Sequence, residues 1–305
     1  MPGRCSGMTN NGERRQKVLV WDLDETLIIF QTLTTGRFAY YFQGAKDSRL
    51  AIKLGRRWEK LIIQVCDGYF FYEQVEDFNE PNLEAWKQFD DGRDLSMYDF
   101  KSDGLSKARD FENNQKLAYR HRWISQMYTQ GLETLLNEEQ LQEWQELYEL
   151  TDSYTDGWLT AGRTILQSCM EADGNDMGLS TTNMVHVLVT SGSLVPSLVK
   201  ILLFKLDKFI PYEHVYSSTE VGKLKCFQWI RERFGTSSQT KFCAIGDGLD
   251  ECDAAEVLKW PFIKVDPHPY GDVRLPALSV PMINNYISVV YGADEIEHVC
   301  EVPEV

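Results

Sequence analysis

The chain has 305 residues, 43% of them apolar, includes eight Trp and carries a formal charge of −15, with a pI near 4.8. That apolar content over that length supports a folded protein with one large core or two smaller ones. The acidic balance argues against direct nonspecific binding to nucleic acid or to an anionic membrane, since both need a basic face that displaces counterions.

The opening stretch, residues 1–16, is polar, lacks the apolar core of a secretory signal and reads as a flexible leader. Val18, Leu19, Val20 and Trp21 follow without alternation, as in a strand covered on both faces of a parallel sheet, although so short a run also suits a buried helix. This run delivers Asp22-Leu23-Asp24-Glu25-Thr26 and then the apolar Leu27-Ile28-Ile29-Phe30. An acidic pair inside an apolar segment is costly to desolvate unless paired or metal-bound. The plain alternative is a surface turn with two solvated acids.

From about Asp47 to Glu171 the periodicity is helical: Leu50, Leu54, Trp58, Leu61, Ile62 and Val65; then Leu117, Trp123, Ile124 and Met127; then Leu141, Trp144, Leu147 and Tyr148; then Trp158, Ile165 and Leu166. Aromatic stripes at this spacing are core positions. Glu73 to Gly104, rich in acids and containing Pro81 and Gly92, reads as a long irregular excursion. His121, flanked by Arg120 and Arg122, reads as a helix-surface residue.

From Met184 the pattern changes to strand, helix, strand, helix. Val185 to Val189 predicts a strand ending at Thr190 and Ser191, followed by a helix over Leu194 to Leu206. A short strand near Val215 and Tyr216 precedes a helix from Lys223 to Phe234. Phe242 to Ile245 is a strand ending at Gly246-Asp247-Gly248, Asp250 to Leu258 a helix, Phe262 to Val265 a strand, and Met282 to Val290 a final helix. Such alternation implies a parallel sheet with right-handed crossovers. The strand before Asp22 has no partner helix nearby, so the helical block reads as an insertion between it and the rest of the sheet.

The apolar run closest to a membrane span, Leu198 to Leu206, is interrupted by lysines, and no segment is long enough to cross a bilayer. The seven cysteines, Cys5, Cys66, Cys169, Cys226, Cys243, Cys252 and Cys300, are scattered without a Cys-x-x-Cys pair, which favours reduced thiols in an intracellular compartment.

The carboxyl ends of parallel strands are where α/β sheets bind ligands, and several strand ends could converge on Asp22. Thr190 and Ser191 offer hydroxyl and amide donors, Lys223 a positive charge after Gly222, and Asp247 a carboxylate, with Asp250 and Glu251 behind it. Each has an ordinary reading: a cap, a solvated lysine, a steric Gly-Asp-Gly turn. Together they suit phosphoryl transfer. Asp22 and Asp247 can share a divalent cation, and oxygen ligands with waters and a phosphate oxygen are what Mg²⁺ prefers. Asp22 can attack phosphorus to form an aspartyl-phosphate, while Lys223 and Thr190 or Ser191 hold the equatorial oxygens. Asp24 would protonate the departing oxygen and then deprotonate water. That job needs its side chain free, so it is expected to meet the cation through its backbone carbonyl.

Asp22-Leu-Asp24-Glu-Thr26, Thr190, Lys223 and Gly246-Asp247-Gly248 resemble, in order, the four motifs of the haloacid dehalogenase superfamily. Within it the chain is similar to the Eyes absent phosphatase family, through Trp21 to Phe30, Asp94-Leu-Ser-Met-Tyr98 with Asp103-Gly104, Leu150-Thr-Asp-Ser153, Gly222-Lys223 before Cys226-Phe227, and Ile245 to Gly248. The resemblance covers about residues 17–290. It implies an α/β Rossmannoid three-layer core with a central parallel sheet, formed by 17–31 and 180–295. It also implies a helical C1-type cap over 32–179, with 296–305 as a tail. It further implies Mg²⁺-dependent hydrolysis of phosphotyrosine in proteins, with Asp22 as nucleophile, Asp24 as acid and base, and Asp22, Asp24 and Asp247 as metal ligands. The expected location is nuclear or cytoplasmic, with protein partners met through the cap. After Gly248 the chain reads Leu-Asp-Glu-Cys-Asp where animal members have a more Glu-rich run, and Tyr154 to Gly157 look like an insertion in the cap. The transactivation region of animal members is not seen, so plant members are the nearer match.

Two other readings compete. A carboxy-terminal-domain-type serine phosphatase shares the Asp-Leu-Asp-Glu-Thr-Leu run but is essentially capless, against the helical insertion here. An acidic interaction or transcriptional cofactor module with minor catalysis would not need Asp22, Asp24, Lys223 and Asp247 intact.

Overall fold

Successive side chains of a strand point to opposite faces of its sheet, and that alternation organises this chain into layers. The computed structural model describes residues 15–108, 110–172 and 183–292. The expected leader apart from Arg15 and Gln16, residues 173–179 of the expected cap, residues 180–182 and 293–295 of the expected second core segment, the tail, Cys5 and Cys300 lie outside the described residues.

β1 (Gln16–Trp21) is followed by α1 (Gln31–Thr34), α2 (Arg37–Tyr41), α3 (Ser48–Tyr69), α4 (Tyr72–Val75), α5 (Phe111–Gln130), α6 (Glu138–Tyr154) and α7 (Trp158–Glu171). Then come β2 (Asn183–Thr190), α8 (Leu194–Leu203), β3 (Val215–Ser217), α9 (Lys223–Phe234), β4 (Thr240–Gly246), α10 (Leu249–Leu258), β5 (Phe262–Lys264) and α11 (Val280–Tyr291). The five strands form one sheet in the order β3-β2-β1-β4-β5, all pairs parallel, with Trp21 level with Leu188 and with Ile245. The chain builds outward from β1 through β2 to β3, then crosses back to lay β4 on the other side of β1. β1 therefore sits at the switch point, where a crevice opens beyond the strand ends.

Val18 and Val20 share one face with Val187, Val189, Phe242 and Ala244, against Phe227 and Ile230 of α9 and Ala254 and Ala255 of α10. Leu19 and Trp21 share the opposite face with Leu188, Cys243 and Ile245, against α8 and the helices between β1 and β2. With both faces covered, the unbroken apolar run of β1 is what the sheet demands. The α/β class with a central parallel sheet agrees with the sequence reading. A buried chain of hydrogen bonds ties the layers: Trp21 Nε1–H donates to His186 Nδ1 at 3.0 Å, and His186 Nε2–H donates to the Leu166 carbonyl of α7 at 3.0 Å. Burial, with His214 adding to it, outweighs the hydrogen bond to Leu166 and keeps His186 neutral, its pKa pushed down to about 4.

α3 forms as its spacing predicts. Asp47 caps it by accepting from Arg49 N at 2.8 Å, and Leu54, Trp58, Ile62 and Val65 are buried along one face, whereas Leu50 is 40% exposed. Trp58 Nε1 donates to Thr151 Oγ1 of α6 at 2.8 Å.

His121 differs from expectation. It is buried, its Nδ1 lies 3.1 Å from the Leu83 carbonyl, and burial pushes its pKa down to about 4. The physical reason is that the 73–104 excursion folds over α5. Its neighbour Arg120, which looked like a surface charge, is 1% exposed and donates to Asp103 at 2.7 Å, Gln74 at 2.8 Å and the Phe100 carbonyl at 2.7 Å. The excursion is otherwise irregular, with α4 and short 3-10 turns at Glu76–Phe78 and Lys87–Phe89.

Candidate active site

Beyond β1, Asp22 N still donates to the Ile245 carbonyl at 2.9 Å, so the sheet fixes this residue. Leu23 O then accepts from Leu27 N and Ile28 N at 3.0 and 3.1 Å, closing a tight turn in which Glu25 takes φ 62°. The Glu25 carboxylate accepts from Phe30 N at 3.0 Å, from Thr32 N at 3.2 Å and from Thr32 Oγ1. It thereby satisfies amides at the start of α1, and the third acid of the run has a structural role. α7 backs the turn. Trp158 Nε1 donates to Thr26 O at 3.0 Å, and a Cβ on Gly162 would come 2.8 Å from Leu27 O, so α7 can approach this closely only through a glycine.

Asp22 is 6% exposed. Lys223, released into α9 by Gly222 at φ 79°, places Nζ 2.6 Å from Asp22 Oδ1 and also pairs with Glu251 Oε1. Asp247 accepts from Thr26 Oγ1 at 3.3 Å. A Cβ on Gly246 would lie 3.0 Å from Glu251 Cγ, and one on Gly248 2.5 Å from Glu251 Oε2, so the two glycines make room for the Glu251 carboxylate behind the turn.

Oxygens of Asp22, Asp247 and Glu251 lie within 4.8 Å of one another. Burial raises the Asp22 carboxyl above the ordinary range, with Lys223 opposing and Glu251 adding to the rise. Burial and Glu251 raise Asp247 as well. Burial alone would favour a neutral Lys223, but Asp22 and Glu251 hold its ammonium charged, above its usual value. One ammonium among these carboxylates leaves excess negative charge, and the clustered hard oxygens fit a divalent cation of the Mg²⁺ type.

Thr190 ends β2, 1% exposed. Its Oγ1 accepts from Gly192 N at 3.2 Å and its carbonyl accepts from Ser218 N at 2.8 Å, which leaves the hydroxyl proton for a ligand. The Ser191 side chain is exposed. Asp22, Asp24, Thr190, Ser191, Lys223 and Asp247 all line one open cleft, so the folded chain brings together every residue expected at the site.

Two features were not legible. Glu251, undecided from sequence, joins Asp22 and Asp247 in the acidic cluster, whereas Asp24 points elsewhere. The Asp24 carboxylate, expected to be free, lies 2.9 and 2.8 Å from Lys200 Nζ through its two oxygens. The available signal for Lys200 was a lysine interrupting an apolar helix. Asp250 is exposed on the cleft rim.

No protein-family model matches the chain. It is 48% identical over 284 residues to protein phosphatase EYA of Arabidopsis thaliana, covering 92% of each. It is 32% identical over 269 residues to protein phosphatase EYA2 of Homo sapiens, covering 83% of this chain and 48% of the relative. It is also 31% identical over 278 residues to protein phosphatase eya of Drosophila melanogaster, covering 85% and 34%. The chain thus spans about half or less of these animal relatives. With a five-stranded parallel sheet that carries the acidic cluster at its carboxyl edge, and with identity running through nearly its whole length to the plant relative, the chain belongs to the Eyes absent family of protein phosphatases.

Proposed function

We propose that the chain is a Mg²⁺-dependent protein tyrosine phosphatase that works through an aspartyl-phosphate. The observation that carries this reading is the meeting of Asp22 with Lys223 at 2.6 Å, inside a group of carboxylates that includes Asp247 and Glu251, in a cleft shared with Thr190 and Asp24. Asp22, Asp247 and Glu251, with the Asp24 backbone carbonyl, would hold the cation. Bound there, Mg²⁺ offsets the mutual repulsion of an anionic nucleophile and an anionic phosphate.

The protein groups divide the remaining work. Lys223 and the Thr190 hydroxyl, with the backbone N–H of Ser191 at the rim, take the equatorial phosphate oxygens. An Asp22 oxygen forms a bond to phosphorus as the bond from phosphorus to the tyrosyl oxygen breaks, and Asp24 gives that oxygen its proton. Asp24 then removes a proton from water as the water oxygen bonds to phosphorus. The bond to Asp22 breaks and inorganic phosphate leaves. A phenol, with pKa about 10, leaves more readily than an alkanol, which favours tyrosyl over seryl phosphate.

Residues 17–31 and 180–295 serve as the catalytic core and 32–179 as a C1-type cap. Seven α-helices, three 3-10 turns and no strand lie between β1 and β2 among the described residues, in support of that division. The described cysteines are free and no described helix is long and apolar enough to cross a membrane. The free thiols suit a nuclear or cytoplasmic location, and the kinship with protein phosphatases supports phosphotyrosine proteins as substrates.

The test is hydrolysis of 4-nitrophenyl phosphate and of phosphotyrosine, phosphoserine and phosphothreonine peptides with and without Mg²⁺. Asp22→Asn is expected to lose at least about ten-thousandfold in turnover. Full turnover by that variant, or activity indifferent to Mg²⁺, would overturn the mechanism. Preference for seryl peptides would overturn the substrate class.

A further inference from the structure

Lys200 is a buried cation to which the phosphatase mechanism above gives no task. Every residue of α8 except Pro196 is buried, and apart from Ser197 and Lys200 all are apolar. A lysine in that setting is disfavoured by desolvation unless it is partnered, and an apolar residue there would pack without that cost. Its side chain is 10% exposed. The ammonium lies 2.9 and 2.8 Å from the two oxygens of Asp24 and 4.2 Å from the centroid of the Phe30 ring, where the ring face attracts a cation. Asp24, Phe30 and Lys200 line the same cleft as Asp22 and Thr190. Contacts to both oxygens of a carboxylate restrict its rotation as a single contact does not. Although Asp24 is only two residues from Asp22, its carboxylate stands outside the group formed by Asp22, Asp247 and Glu251.

We propose that Lys200 is a positioning residue. It holds the Asp24 side chain on the Phe30 side of the cleft, apart from the acidic cluster, where Asp24 as the protonated acid meets the bridging oxygen of the substrate and, once ionised, the attacking water. This inference rests on the phosphatase reading and adds to it a residue from a helix that contributes no other group to the chemistry. Without Lys200 the carboxylate is free to turn between rotamers, and a displacement of about 1 Å in a reacting group costs on the order of a hundredfold in rate.

The experiment compares Lys200→Met, Asp24→Asn and the double variant on 4-nitrophenyl phosphate with Mg²⁺, since this good leaving group keeps the Asp24→Asn background measurable. Lys200→Met is expected to lower kcat by about tenfold or more with KM within roughly threefold. In the Asp24→Asn background the same substitution is expected to cost nothing further, because the lysine acts through Asp24. The Tm values of the metal-free proteins are expected to be non-additive in the same cycle, since each single change leaves its partner unpaired. Wild-type kcat in Lys200→Met, or an equal loss in both backgrounds, would overturn the inference and leave the phosphatase reading standing. A wild type whose turnover needs neither Mg²⁺ nor Asp22 would overturn both. If Lys200→Met does not fold at the assay temperature, Lys200→Gln, which removes the charge but keeps a polar end, is compared in the same way.

Discussion

Arg120 in α5 and Lys223 at the head of α9 are both buried cations with carboxylate partners, and their surroundings end differently. Arg120 donates to both oxygens of Asp103, to Gln74 and to the carbonyls of Lys116 and Phe100. Burial pushes Asp103 up, yet the guanidinium bonds outweigh it and the carboxyl sits below the usual range. Around Lys223 the balance tips the other way: burial and neighbouring acids leave Asp22 and Asp247 above the usual range. A closed network with matched charge pins the 73–104 excursion to the helices. A cluster with excess carboxylates beside an open cleft has the charge to hold a cation, the role the proposed mechanism gives it.

The comparison breaks most visibly at Lys223. Lys223→Met removes the cation beside Asp22, and its aryl phosphatase activity is expected to fall roughly a thousandfold. Its metal-free form should also melt lower than wild type, with Mg²⁺ recovering part of the loss; an unchanged kcat would remove Lys223 from the chemistry. Arg120→Met leaves Asp103 buried without its charge partner, which is expected to cost about 3–5 kcal/mol in urea unfolding. The folded fraction of this variant should keep kcat within about twofold, since Arg120 touches no group of the cleft, and a large loss of kcat at full folding would merge the two clusters into one functional unit.

The pH dependence separates the clusters further. Folded Asp22 and Asp247 hold protons more tightly than the unfolded chain, so in metal-free protein their contribution is lost as pH rises from the ordinary carboxylate value through their raised ones. Asp103, held low, contributes stability above its unfolded value that is lost as pH falls through its folded one. His121 and His186, with values near 4 against an ordinary 6.5, contribute in the same direction as Asp103. Stability from keeping both neutral is complete above pH 6.5 and lost on the way to pH 4, about 3 kcal/mol for each. Urea midpoints against pH, with histidine proton shifts read by NMR, check the sign. The smallest effect is expected at the cleft rim. Ser191→Ala should stay within about twofold because its side chain is exposed, whereas Thr190→Val should lose on the order of tenfold or more through the missing buried donor.

Regular elements were legible where one local pattern governs them. The apolar runs of β1, β2 and β4 and the Trp58 and Trp144 stripes lie in the strands and helices expected of them, because an unbroken apolar run or a helical stripe marks burial whichever elements supply the cover. α1 and α2 were not legible, since they are single short turns: the first amides of α1 depend on Glu25, and the burial of α1 depends on α3, where a Cβ on Gly55 would stand 2.5 Å from Thr34 backbone atoms. His121 was misplaced because its flanking arginines look like surface charge, and only the excursion folded over α5 turns Arg120 inward.

The sequence by itself determined the order in which Asp22, Asp24, Thr190, Lys223 and Asp247 leave successive strands and helices, because strand ends and glycine turns are local properties. It also determined the parallel sheet, since unalternated apolar runs need cover on both faces. Only the tertiary structure decided that Glu251 completes the acidic cluster and that Asp24 turns towards Lys200. Those choices depend on distances between α8, α10 and the turn after β1, which no local pattern encodes, and on desolvation, which sets the charge of a buried group only once its neighbours are in place.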